Sequence, residues 1–101
     1  MKKYTHLKYD GETYTDSNKI ESILKKHKMY WLIDSEFENA ELELERNVVI
    51  WENGTYFSGD WYFGIWMGGT FHGKFLNGIF KDGIFKGEWV SGIDDSGKIK
   101  K

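Results

Sequence analysis

Phe57-Ser58-Gly59-Asp60-Trp61-Tyr62-Phe63-Gly64, Phe71-His72-Gly73-Lys74-Phe75-Leu76-Asn77-Gly78 and Phe85-Lys86-Gly87-Glu88-Trp89-Val90-Ser91-Gly92 carry one pattern at a period of 14 residues. Aromatic, glycine, aromatic and glycine positions return in the same register three times, and each unit runs on into Ile65-Trp66, Ile79-Phe80 or Ile93-Asp94. A unit this short cannot bury its apolar side chains alone, so it must stack on its neighbours. Residues 51–92 therefore decide the fold, and the rest of the chain has to start, cover or end the array.

Turn signals punctuate this region at Asn53-Gly54, Phe63-Gly64, Gly68-Gly69, Asn77-Gly78, Asp82-Gly83 and Ser91-Gly92. They predict long strands over 70–76 and 84–90 and short returns over 65–67 and 79–81. With a period of two, Phe57, Gly59 and Trp61 share one face, as do Phe71, Gly73 and Phe75, then Phe85, Gly87 and Trp89. Glycine weakens a strand, so its recurrence between two aromatic rows implies room for a ring from the next unit. Asp60, Lys74 and Glu88 fall in register with alternating charge, which favours units lying side by side.

The order aromatic-x-Gly-x-Trp-x-x-Gly over residues 50–97 resembles the membrane occupation and recognition nexus (MORN) repeat. Phe57, Gly59, Trp61 and Gly64 fit it, as do Phe71, Gly73, Phe75 and Gly78, then Phe85, Gly87, Trp89 and Gly92. That resemblance implies β-hairpins stacked into an elongated antiparallel sheet. In the second half of each unit, Gly69, Gly83 and Gly97 stand at the thirteenth position, whereas the family usually has glycines at the twelfth and fourteenth. A second resemblance lies in the aromatics Tyr56, Trp61, Trp66, Phe71, Phe75, Phe80, Phe85 and Trp89, spaced five or four apart, with Phe37-Glu38-Asn39-Ala40-Glu41-Leu42 as a further instance. This looks like a pentapeptide-repeat β-helix, although its four-residue steps do not suit a regular square coil. The fold read here is mainly β, with an amino-terminal hairpin and one helix followed by an antiparallel meander of MORN-like hairpins; a small pentapeptide-like β-helix is the alternative.

Ahead of the repeat, Asp10-Gly11 between His6-Leu7-Lys8-Tyr9 and Glu12-Thr13-Tyr14-Thr15 predicts a hairpin over 4–15. Asp16 or Ser17 offers an N-cap, and Ile20, Ile23, Leu24 and His27 follow at helical spacing, so a helix is expected over 17–28. Its basic residues Lys25, Lys26 and Lys28 suit the negative end of the helix dipole, and could also attract an anionic surface. Residues 29–33 read as a short buried strand. Glu41-Leu42-Glu43-Leu44-Glu45 alternates with one acidic and one leucine face, and Arg46-Asn47 turns the chain into Val48-Val49-Ile50-Trp51. At the other end Asp94 replaces the ring of the earlier units, as a terminal repeat requires a polar face, and 98–101 is expected to fray.

With 101 residues, the chain is read as one domain: 1–33 as hairpin, helix and short strand, 34–97 as the repeat sheet, and 98–101 as a tail. Five Trp, six Tyr and seven Phe supply a core, and the lack of Cys removes disulfides and thiolate metal sites. No signal-peptide pattern follows Met1, so a soluble, cytoplasmic protein is expected. A net charge of −2 opposes non-specific nucleic-acid binding, and no run approaches a membrane span, so neither direct nucleic-acid nor membrane binding is expected.

No catalytic motif is present. His6, His27 and His72 lack metal-ligand spacing, and the glycines do not form a phosphate loop. No cofactor is implied and no enzyme is read. The candidate partner-binding residues are Asp34, Glu36, Glu38, Glu41, Glu43 and Glu45, weighed against a merely solvated strand face. A strand needs a polar outer side, but Thr, Lys or Ser would serve as well as a row of carboxylates.

The function read from this is a non-enzymatic protein-binding module. In its specific version it resembles a small phage-type inhibitor, an anti-CRISPR or other anti-defence protein, whose acidic strand occupies the basic channel of a host nucleic-acid enzyme. The alternatives are a MORN-like scaffold or lipid-surface binder, and an enzyme acting on a small molecule or glycan near Trp61, Trp66 and His72. Self-association through an open sheet edge is a further expectation.

Overall fold

The computed structural model describes residues 2–97 and Ile99. The chain opens with a hairpin, β1 (Tyr4–Tyr9) and β2 (Glu12–Tyr14), whose turn residues Asp10 and Gly11 take φ of 52° and 79°. Helix α1 (Ser17–Lys26) buries Ile20, Ile23 and Leu24 against this hairpin and carries Lys25 and Lys26 in its last turn. Asp16 sits at the N-cap position without a side-chain capping bond. His27 ends the helix and ties it to the sheet: its Nε2 lies 3.1 Å from the Tyr9 hydroxyl, and its Nδ1 meets Asn47 Oδ1.

The buried strand expected over 29–33 is instead one helical turn, α2 (Tyr30–Ile33). Met29 and Leu32 are buried whereas Tyr30 is exposed, which is the i, i+3 spacing of a helix and not the alternation of a strand. Five apolar residues are too few for sequence periodicity to separate the two.

Two long strands follow, β3 (Glu36–Glu45) and β4 (Val48–Ser58), joined by Arg46 and Asn47 at φ of 50° and 63°. β3 lies between β1, to which it is parallel, and β4, to which it is antiparallel. Leu42 and Leu44 point into the core and Glu41, Glu43 and Glu45 outward, as the alternation predicts. Asn39, at φ 57°, inserts a bulge that shifts the parity of the strand, so Glu36 and Glu38 face outward as well.

Beyond β4 the antiparallel meander is not formed. The repeat folds into two-residue strands: β5 (Asp60–Trp61), β6 (Ile65–Trp66), β7 (Thr70–Phe71), β8 (Lys74–Phe75), β9 (Ile79–Phe80), β10 (Ile84–Phe85), β11 (Glu88–Trp89) and β12 (Ile93–Asp94). Every pairing among them is parallel, as are those of β4 with β6 and β7. β4, β6, β9 and β12 form one ladder; β4, β7 and β10 a second; β5, β8 and β11 a third. The chain thus winds as a three-sided coil of the β-solenoid type, each turn resting on the last. Of the two architectures read from the sequence, the β-helix alternative is compatible with this pairing.

Three stacked columns fill the coil. Trp51, Trp66 and Phe80 form one, with centroid spacings of 4.7 and 6.1 Å and near-parallel rings. Phe37, Tyr56, Phe71 and Phe85 form the second, and Trp61, Phe75 and Trp89 the third. Rings of different columns meet edge to face, as Trp61 and Trp66 do at 5.5 Å and 81°.

The four-residue step has a corner as its cause. Tyr56 to Trp61 spans a corner of Phe57, Ser58 and Gly59, whereas Phe71 to Phe75 crosses the same corner one residue shorter. Tyr56 therefore aligns with Phe71, and Phe57, expected in the aromatic row, is 44% exposed. Gly73 and Gly87 are corner residues and not the middles of long strands. A Cβ on Gly87 would stand 2.1 Å from the Gly73 carbonyl oxygen, and one on Gly73 would stand 2.6 Å from that of Gly59 and 2.7 Å from the Tyr56 ring. Room for a ring is thus part of the reason at Gly73, but the backbone of the preceding turn is the larger part.

The array closes at Asp94, which occupies the ladder position of Trp66 and Phe80. Its carboxylate accepts hydrogen bonds from the amides of Ser96, Gly97 and Ile99 and from the Ser96 hydroxyl. These bonds hold its pKa below the usual carboxylate range, the Ser96 hydroxyl foremost. Ile99 packs against the core. The other residues of the expected frayed tail, 98, 100 and 101, lie outside the described residues.

Candidate interaction surface

The six carboxylates singled out from sequence do not form one row. Glu41 and Glu43 stand on the outer sheet face, in register with His6 and Lys8 of β1. Glu52 of β4 reaches toward the same two residues, 3.6 Å from His6 Nε2 and 4.0 Å from Lys8 Nζ. This part of the acidic face already has a cation, Lys8, beside it. Glu45, with Glu43, borders a shallow groove beside the β1–β2 turn, lined also by Lys8, Asp10 and Glu12.

Asp34, Glu36 and Glu38 belong elsewhere. α2 ends at Asp34, Ser35 is buried, and β3 begins at Glu36, so the chain passes over the first turn of the coil at this point. Ser35 fixes the crossing. Its hydroxyl donates to the Trp31 carbonyl oxygen at 2.7 Å and accepts from the Tyr56 hydroxyl at 2.5 Å. Burial pushes the Tyr56 phenol well above its ordinary range, so it stays a donor.

Two depressions share Ser35 as a wall. One is lined by Lys3, Glu36, Phe37, Glu38 and Phe57, the other by Trp31, Asp34, Gly59, Asp60 and Tyr62. Around the two stand four carboxylates, Asp34, Glu36, Glu38 and Asp60, and the exposed rings of Phe57 and Tyr62, which are 44% and 51% accessible. One Glu38 carboxylate oxygen is buried with no hydrogen-bond partner among the described residues. Lys3 is held at one end, its ammonium donating to the Ile33 carbonyl and lying 4.7 Å from the Phe37 ring centre. Sequence reasoning missed Asp60, Phe57 and Tyr62 as members because it placed Phe57 in the core. The adjacency of Phe57 to Tyr56, the residue five before Trp61, was the available signal.

Lys25, Lys26 and Lys28 are exposed around the end of α1, with Lys28 at φ 60°. His72 lies outside the coil, stacked 6.5 Å from Phe57, while Trp61 and Trp66 are wholly buried. The cleft imagined among Trp61, Trp66 and His72 is therefore not there. Among the described residues no group of three His, Asp or Glu side chains could hold a metal, and no helix is long and apolar enough to cross a membrane. Comparison with protein-family models, curated proteins and solved structures finds no match to the chain.

Proposed function

We propose that this chain is a non-enzymatic protein-binding module whose contact surface is the acidic, aromatic groove around Ser35. The observation that carries the reading is that two depressions sharing Ser35 are lined by Asp34, Asp60 and the exposed Tyr62 ring in one, and by Glu36, Glu38 and the exposed Phe57 ring in the other. Large exposed rings beside unneutralised charge mark a surface that meets something. The stacked coil beneath supplies rigidity, so little ordering is needed on binding.

The partner presents a basic surface. In the specific form of the proposal it is a nucleic-acid enzyme whose cationic channel receives the carboxylates in place of phosphates, as a phage-type inhibitor would require. Charge complementarity of this kind speeds association and makes it sensitive to salt.

Affinity capture from the source cell, followed by titration calorimetry with the captured partner, tests the reading. Reversing Asp34, Glu36 and Asp60 to Lys should weaken binding at least about tenfold, and wild-type association should slow as salt rises. The same reversal at Glu41, Glu43 and Glu45 should weaken it less. Wild-type affinity in the groove variant would remove the proposal.

A further inference from the structure

We infer that the corner between Trp31 and Tyr62 is a recognition site for one cationic side chain, an arginine or lysine, of the polypeptide that occupies the groove. The inference rests on the protein-binding reading and narrows it to a chemical group.

Two aromatic walls meet there. The rings of Trp31 and Tyr62 have centroids 6.1 Å apart and planes 65° from parallel. The Trp31 ring packs T-shaped with the buried Trp61 ring at 5.2 Å and 76°, so this wall is set by the core. Gly59 and Ser35 form the floor: a Cβ on Gly59 would strike Ser35 Oγ at 2.3 Å, so the floor is already closed without a side chain at 59. Asp34 and Asp60 complete the lining.

The polar groups of this corner select the ligand. The Ser35 hydroxyl proton is given to the Trp31 carbonyl and the Tyr56 proton to Ser35, so neither is free to receive an anion. What remains lining the corner is two aromatic rings and two carboxylates, and among the described residues neither Asp34 nor Asp60 forms an ion pair. Lys74 is the register neighbour of Asp60 on the next turn, without joining it in an ion pair. An apolar group here would strip water from two unpaired charges, and an anion would be repelled. A guanidinium or ammonium satisfies the carboxylates and the ring faces together. Arginine suits the corner better, because a planar fork can lie on Tyr62 while donating to a carboxylate. A second depression, lined by Glu36 and Phe57, lies on the other side of Ser35, which offers the flanking residues of a polypeptide a second contact that a free cation would not need.

The test is an NMR titration of the whole chain at constant ionic strength, following the Trp31 indole N–H and the Tyr62 ring. The probes are acetyl-arginine amide, acetyl-lysine amide and, as neutral control, acetyl-norleucine amide. Saturable shifts confined to this corner are expected with the first two, tighter for arginine, and none with the third. Asp34→Asn with Asp60→Asn, which preserve shape, should raise the dissociation constant at least about fivefold, and Tyr62→Ala should do likewise. Unchanged dispersion of the amide spectrum certifies folding of each variant. Equal shifts with norleucine, no saturation with either cation, or an unaltered constant in the double variant would overturn the inference. If the cations fail to bind while charge reversal in the groove still weakens a captured partner, this site falls and the protein-binding reading stands. If they bind as expected and no partner is captured, the reverse holds.

Discussion

The indole of Trp66 lies flat on that of Trp51, ring centroids 4.7 Å apart and planes 10° from parallel, one full turn of the coil later in the chain. Both rings are wholly buried, and Trp66 also stacks on Phe80 below. Trp66→Ala therefore removes the middle of a column and leaves a gap that rigid backbone ladders cannot close. We expect a loss on the order of 3 to 5 kcal/mol in chemical denaturation. Trp61→Ala, at the head of another column and equally buried, should cost about as much by the same scale. A near-neutral result at either would mean that its ring is not core.

Corner glycines give a second test, independent of ring packing. Gly73→Val sets a branched side chain against the Gly59 carbonyl and the Tyr56 ring, so the melting midpoint should fall by an amount corresponding to about 1 to 3 kcal/mol or more. Gly11→Asn is the control. Nothing lies within 4 Å of a Cβ there, and Asn tolerates its φ of 79°, so the change should stay within about 1 kcal/mol.

Alkaline pH should unfold the protein through two buried phenols. Tyr4 is raised far above its ordinary pKa by burial, then by its hydrogen bond to Glu21 and that residue's charge; burial likewise raises Tyr56, against a lowering contribution from Ser35. A group raised in the folded state contributes stability that is complete below its unfolded pKa of about 10 and is lost as pH climbs above it. Stability measured between pH 9 and pH 12, a window of about three units around that value, should drop. Tyr4→Phe should flatten the drop, and an unchanged slope would count against the burial of this phenol.

Asp94 predicts the opposite limb. Its carboxyl is depressed in the folded state, so its contribution is complete above the unfolded pKa of about 3.9 and fades as pH falls through the lower, folded value. The protection of the Ile93, Gly97 and Ile99 amides against hydrogen exchange, relative to their intrinsic rates, should fall in acid before that of the middle turns of the coil. Asp94→Asn should show faster exchange at these sites already at neutral pH, and equal protection would argue against the clasp.

How far the sequence could be read follows from the range of each interaction. Asp10-Gly11, Arg46-Asn47 and the Glu-Leu alternation are local, and each predicted its turn or face. The repeat itself was plain, but whether a unit pairs with its neighbour head to tail or side by side depends on contacts 14 residues apart that Asn77-Gly78 or Asp82-Gly83 do not encode. The same dipeptides serve a hairpin and a coil corner. Likewise Asp34, Glu36, Glu38, Glu41, Glu43 and Glu45 stand out as one acidic set in the sequence, yet the outward placing of Glu36 and Glu38 depends on the bulge at Asn39 and that of Asp34 on the crossing at Ser35, which only tertiary packing reveals.

A ladder of identical rungs has no natural length. Each turn offers the next a ready template of carbonyls and ring faces, and another molecule's strand could use it as readily as the chain's own, which is how fibres begin. By setting a carboxylate where a fourth ring would stand and bending the following backbone onto it, Asp94 denies newcomers the stacking surface of that column. A single acid thereby ends one of the three columns of rings, while the other two end at Phe85 and Trp89.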